Sequence, residues 1–130
     1  MSRAILLLLA TTLLSAPAQA QGPASPPASA AQEQRPLSLE HRMLLRCSAA
    51  FALMAHRQAD GDPAALAYPA LQQRGQEFFV RSSARVIDEA GLDRATIAAA
   101  LTQEAMALQE GGALEQVMPA CLSALDAAGL

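Results

Sequence analysis

The chain is poor in the residues that most often carry chemistry. Of its 130 residues two are cysteine, two histidine, three phenylalanine and one tyrosine, while tryptophan and lysine are absent. The two cysteines, Cys47 and Cys121, form no C-x-x-C pair for redox catalysis and no C-x-x-C-H haem attachment. No serine stands in a nucleophile-elbow sequence, and both histidines, His41 and His56, fall on one predicted helix. Nucleophilic catalysis therefore lacks a base held beside its nucleophile. No strand alternation occurs, so no glycine-rich phosphate loop follows a strand. Lysine's absence beside abundant alanine reads as genome base composition. Without Arg3, eight arginines face twelve acids, a net charge of −4 with both signs interspersed. No basic block is left to attract nucleic acid or an anionic membrane. Together these absences argue against an enzyme.

What is present begins with an export signal. Arg3 supplies a positive n-region, Ala4 to Leu14 is apolar apart from two threonines, and Ala18-Gln19-Ala20 fits the small-residue site of signal peptidase. Pro17 and Gln19 interrupt the stretch before it reaches the roughly 18 apolar residues of a membrane span. Cleavage between Ala20 and Gln21 is expected, giving a periplasmic or secreted protein with no membrane anchor. Residues 21–36 (QGPASPPASAAQEQRP) offer only small apolar side chains and read as a disordered tether. Residues 37–130 are then one small domain, for which a covalent staple is a common remedy for limited burial.

Helical signals fill that domain. Ser38 can cap a first helix running to Arg57, with Leu39, Met43, Cys47, Ala50 and Met54 as its apolar stripe. Leu45, Ala49 and Leu53 occupy another face, as in a helix central to its domain. Asp60-Gly61-Asp62-Pro63 reads as a stop and a restart, and Pro69 limits residues 63–68 to a turn or short helix. A second long helix is expected from Pro69 to Ala90, its apolar face including Leu71, Gly75, Phe78, Ser82, Val86 and Ile87. Gly75 within it indicates close helix packing or a local bend. Asp93 caps a third helix, with Leu92 stapled on Ile97, and Gly111-Gly112 ends it. A last helix covers 113–128, where Pro119 should kink it or mark a fresh start. The expected fold is an all-α bundle of about four helices.

The cysteines sit mid-stripe on the first and last of these helices, which are neighbours in an up-down bundle. Two cysteines permit one intramolecular bridge, and an exported protein should form it. Other candidate sites are weaker. His41 with Met43, and Met54 with His56, are i, i+2 pairs whose members diverge around the helix and cannot chelate one metal. Asp88-Glu89, Asp60 and Asp62 fall where helix ends and capping turns already employ acids. No metal or cofactor is expected. Phe78-Phe79 stands out because adjacent helical residues diverge by about 100°, so both rings enter the core only if the helix is covered on two sides. Otherwise one ring lies near the surface, beside Tyr68, as an apolar contact for a protein partner.

Arg46 to Ala52 (RCSAAFA), Gly61-Asp62-Pro63, Arg74 to Phe79 (RGQEFF) and Met118 to Leu122 (MPACL) resemble a family of small exported helical proteins of alphaproteobacteria with two cysteines. The resemblance spans about His41 to Asp126 and brings no activity with it. Size, helicity and a single disulfide are also similar to periplasmic acid-stress chaperones and small toxin-immunity proteins, though no motif is specific to either. The expectation is a non-enzymatic periplasmic module that binds an unidentified protein partner, with its oligomeric state open. The alternative is a small-ligand or metal carrier using a pocket between helices.

Overall fold

A computed structural model describes residues 37–130. The signal segment, its cleavage point at Ala20 and Gln21, and the tether at 21–36 lie outside the described residues. Five helices follow in order: α1 Leu39–Ala59, α2 Pro63–Leu66, α3 Gln72–Ala90, α4 Arg94–Leu108 and α5 Ala113–Ala127. The protein is all-α, with four main helices and one short one.

Local chemistry sets most of the boundaries. The Ser38 hydroxyl accepts from His41 N–H, the Asp62 carboxylate from Ala64 N–H and the Asp93 carboxylate from Thr96 N–H, each satisfying a donor that a helix start leaves free. At Gly91 the backbone turns left-handed (φ 65°) and stops α3. One boundary differs from expectation. Helix α3 begins at Gln72 rather than Pro69, because the side chain of Gln58 holds the segment before it. Its Nε2 donates to the carbonyls of Ala65, Tyr68 and Pro69 at 3.1, 3.2 and 2.9 Å, and its Oε1 accepts from Leu71 N–H at 3.1 Å. At Pro119 a kink or a fresh start was expected, and α5 continues through it with no fresh start. That proline is exposed, so the carbonyl it leaves unpaired can meet water.

Helix α1 touches all four other helices. Helix α3 runs antiparallel to it, with Arg85 beside Glu40 at one end and Gly75 against Phe51 further along. Helix α4 returns parallel to α1, from Ile97 against Leu45 to Glu104 on Arg46. Helix α5 is antiparallel again, with Glu115 near Arg57 and Cys121 bonded to Cys47 across a Cα–Cα distance of 5.1 Å. The main core gathers Phe51, Met54, Leu71, Phe78, Met118 and Leu125 around that disulfide. A smaller cluster of Leu45, Val86 and Ile97 closes the other end.

Leu39, expected on the buried stripe, is 70% exposed. It stands more than a turn before the level at which Ile97 brings α4 onto α1, so no described helix covers it. Gly75 marks close packing: a Cβ placed there would lie 2.8 Å from the Cβ of Phe51. The approach it permits sets the Phe51 and Phe78 rings edge to face, with centroids 5.2 Å apart and planes at 87°, a favoured aromatic geometry.

Candidate functional site

The sequence offered Tyr68, Phe78 and Phe79 as possible contact residues, with at most one ring of the phenylalanine pair at the surface, and the structure separates the three. Phe78 is 3% exposed and belongs to the core, so it is no contact residue. The 100° step to the next position carries Phe79 out to 40% exposure. There it walls a groove of about 270 Å³ between α1 and α3, with Ser48, Ala52 and Ala55 along the α1 side. Tyr68 is half-buried against the main core. It lines a neighbouring groove of about 360 Å³ with Leu66 and Ala59. The two grooves share Ala55, Leu71 and Gln72. They form one trough along α1, with Phe79 and Tyr68 in different parts of it.

Among the described residues no charged side chain lines either part of this trough. Along the α1 side Ser48, Ala52, Ala55 and Ala59 recur at steps of 4, 3 and 4, so small side chains form a lane one helical ridge wide. Neither that lane nor the role of Gln58, which holds one end of it, was anticipated from sequence. The 4-3-4 spacing of small residues was the available signal.

A second groove of about 430 Å³ opens between α1, α3 and α5, lined by Met43, Leu44, Phe78, Ala120 and Ala124. Arg81 and Arg85 stand in its α3 wall. Ser82, 4% exposed, also lines it; the buried hydroxyl that lacks a partner among the described residues is that of the next residue, Ser83, which does not line this groove.

A further groove, about 610 Å³, lies at the C-terminal end of α1 and contains His56, Arg57 and Glu115. Arg57 bridges Asp62 at 2.7 Å and Glu115 at 2.5 Å, joining α1 to the α2 cap and to α5. Hydrogen bonds to Glu115 and then Asp62 raise the pKa of Arg57, and the same guanidinium lowers that of both carboxylates. The polar groups here serve one another and hold helix ends together.

The remaining candidates are also occupied. The His41 ring meets Glu89 at 2.9 Å, and Glu89 accepts from Arg85 as well, at 2.8 Å. His41 and then Arg85 keep the Glu89 carboxyl below its ordinary range. His56 pairs with Asp60 at 2.8 Å, and Met54 is buried in the core. Among the described residues no three His, Cys, Asp or Glu side chains come together as a metal site. No helix among them is long and apolar enough to cross a membrane. The Cys47–Cys121 bridge is consistent with an oxidising compartment outside the cytoplasm. Compared with known proteins, the chain matches no family model, no curated protein and no solved structure.

Proposed function

We propose that the protein is a non-enzymatic, periplasmic binding module whose α1–α3 trough receives an amphipathic helix of another protein. The observation that carries this reading is the charge-free lining of the trough. A lane of small side chains lets a second helix approach to about 8–10 Å. An aromatic ring at its edge can serve as an interface anchor, and Phe79 occupies that place. Elsewhere on α3 the outer positions carry charge in every turn, as Glu77, Arg81, Arg85 and Glu89 do.

The test is crosslinking and affinity capture from native periplasm with the wild-type protein and Phe79→Asp. The expected result is loss of a specific captured protein by at least tenfold, equivalent to about 1.4 kcal/mol, with the melting temperature within a few degrees. Equal capture by both proteins would remove the trough from consideration. The groove of about 430 Å³ between α1, α3 and α5 favours a second reading, a small, mainly apolar ligand held between those helices. Native mass spectrometry of the same preparation distinguishes the two, since that reading requires a bound small molecule.

A further inference from the structure

We propose that the groove between α1, α3 and α5 binds a long-chain carboxylate, its alkyl chain lying between the helices and its head on Arg81. The inference rests on the second reading above, a ligand in that groove, and adds the chemistry of its head and tail. At about 430 Å³ the space falls within the roughly 300–1,000 Å³ of small-molecule sites. Met43 and Leu44 on α1 and Phe78 on α3 supply its large apolar side chains. The α5 wall is Ala120, Ala124 and Ala127, at steps of 4 and 3 on one face of that helix. That face sends nothing larger than a methyl group into the groove. A slot apolar on three sides suits an alkyl chain, which gains by leaving water.

Charge selects the head. The charged residues of the lining are Glu40, Arg81 and Arg85. Arg85 is committed, holding Glu40 at 2.7 Å and Glu89 at 2.8 Å, and so neutralises the acid in the groove wall. Arg81 is less engaged. Glu77 meets its Nε at 2.8 Å from one turn back on the same helix. Both side chains of that pair are half or more exposed, and a pair so solvated is worth little. Among the described residues the terminal nitrogens of Arg81 meet only the Ala128 carbonyl, 3.4 Å from Nη1, which is long for a hydrogen bond. Arg46, Arg57 and Arg74, by contrast, each tie their helix to an acid on another. Arg81 therefore keeps its outer edge for a second acceptor, and two parallel N–H bonds to a carboxylate are the arrangement a guanidinium favours. The charge-free trough offers no such group, and in the groove at the C-terminal end of α1 the guanidinium of Arg57 is already shared by Asp62 and Glu115.

Isothermal titration of the purified full chain, with its disulfide intact, tests this with decanoate and decan-1-ol. The two carry the same chain, so the difference between them reads the head. The wild type should bind one decanoate per chain, about tenfold more tightly than the alcohol. Affinity should rise from octanoate to decanoate, by up to about fourfold for each added methylene. Arg81→Gln should bring decanoate down to the level of the alcohol and leave the alcohol unchanged. Ala120→Leu, at an exposed position and with a good helix former, should fill the slot and weaken both ligands while circular dichroism stays the same. Phe79→Asp, which alters the trough instead, should change neither. Equal binding of acid and alcohol by the wild type would overturn the head-group assignment while the ligand reading survives. Binding of neither would remove both. Decanoate held as tightly by Arg81→Gln or by Ala120→Leu as by the wild type would place it outside this groove and sink the proposal.

Discussion

At position 75 two ordinary preferences oppose each other. Alanine inside a helix is favoured over glycine by about 1 kcal/mol, yet the added Cβ would lie 2.8 Å from the Cβ of Phe51. That atom is fixed to the α1 backbone and no rotamer moves it aside, so the helices must part. Overpacking of this kind costs about 1–3 kcal/mol, which outweighs the gain in propensity. Gly75→Ala should therefore lower the unfolding free energy, measured by urea titration of the helical signal, by about 0–2 kcal/mol net. A higher midpoint would mean that α1 and α3 have room to spare. The glycine was legible in the sequence as close packing or a bend, and the contact decides for packing. The neighbouring rings were less legible. Phe78 and Phe79 are alike in sequence, and only the position of α1 determines which one is buried.

Among the elements, the helix starts were readable because their chemistry is local. Ser38, Asp62 and Asp93 each cap a backbone N–H two or three residues onward, and residues so close meet whatever the tertiary fold does. Gln58 acts over a longer reach: its amide binds Leu71, 13 residues away, and three carbonyls between. No pattern in the sequence announces such a bond, and α3 consequently starts three residues later than periodicity indicates. Gln58→Ala would leave the Leu71 N–H without its partner beside a fully buried side chain. The cost should be about 1–3 kcal/mol. Hydrogen exchange should accelerate at residues 65–72 while the centre of α1 stays protected. Unchanged exchange in that segment would show that the loop holds without the amide.

For the whole molecule the dominant constraint is the covalent link between its first and last helices. The bridge joins residues 74 apart, and for a loop of this length the chain-entropy stabilisation is about 4 kcal/mol. Replacing both cysteines with alanine should lower stability by about 2–5 kcal/mol in urea titration, with helical circular dichroism unchanged at low temperature. Alanine is the cleaner substitution, since both positions are fully buried and serine would bring hydroxyls that lack partners there. A loss under 1 kcal/mol would show that packing alone holds α5 on α1. The sequence by itself determined the all-α class, the main helices and the pairing of Cys47 with Cys121. Those follow from a 3.6-residue period, from caps acting within one turn and from there being only two thiols to join. Only the tertiary structure decided that Leu39 is exposed, that Phe79 rather than Phe78 reaches the surface, and that a charge-free trough remains along α1. Each depends on where a neighbouring helix ends or turns away, and a residue's own sequence neighbourhood carries no record of that.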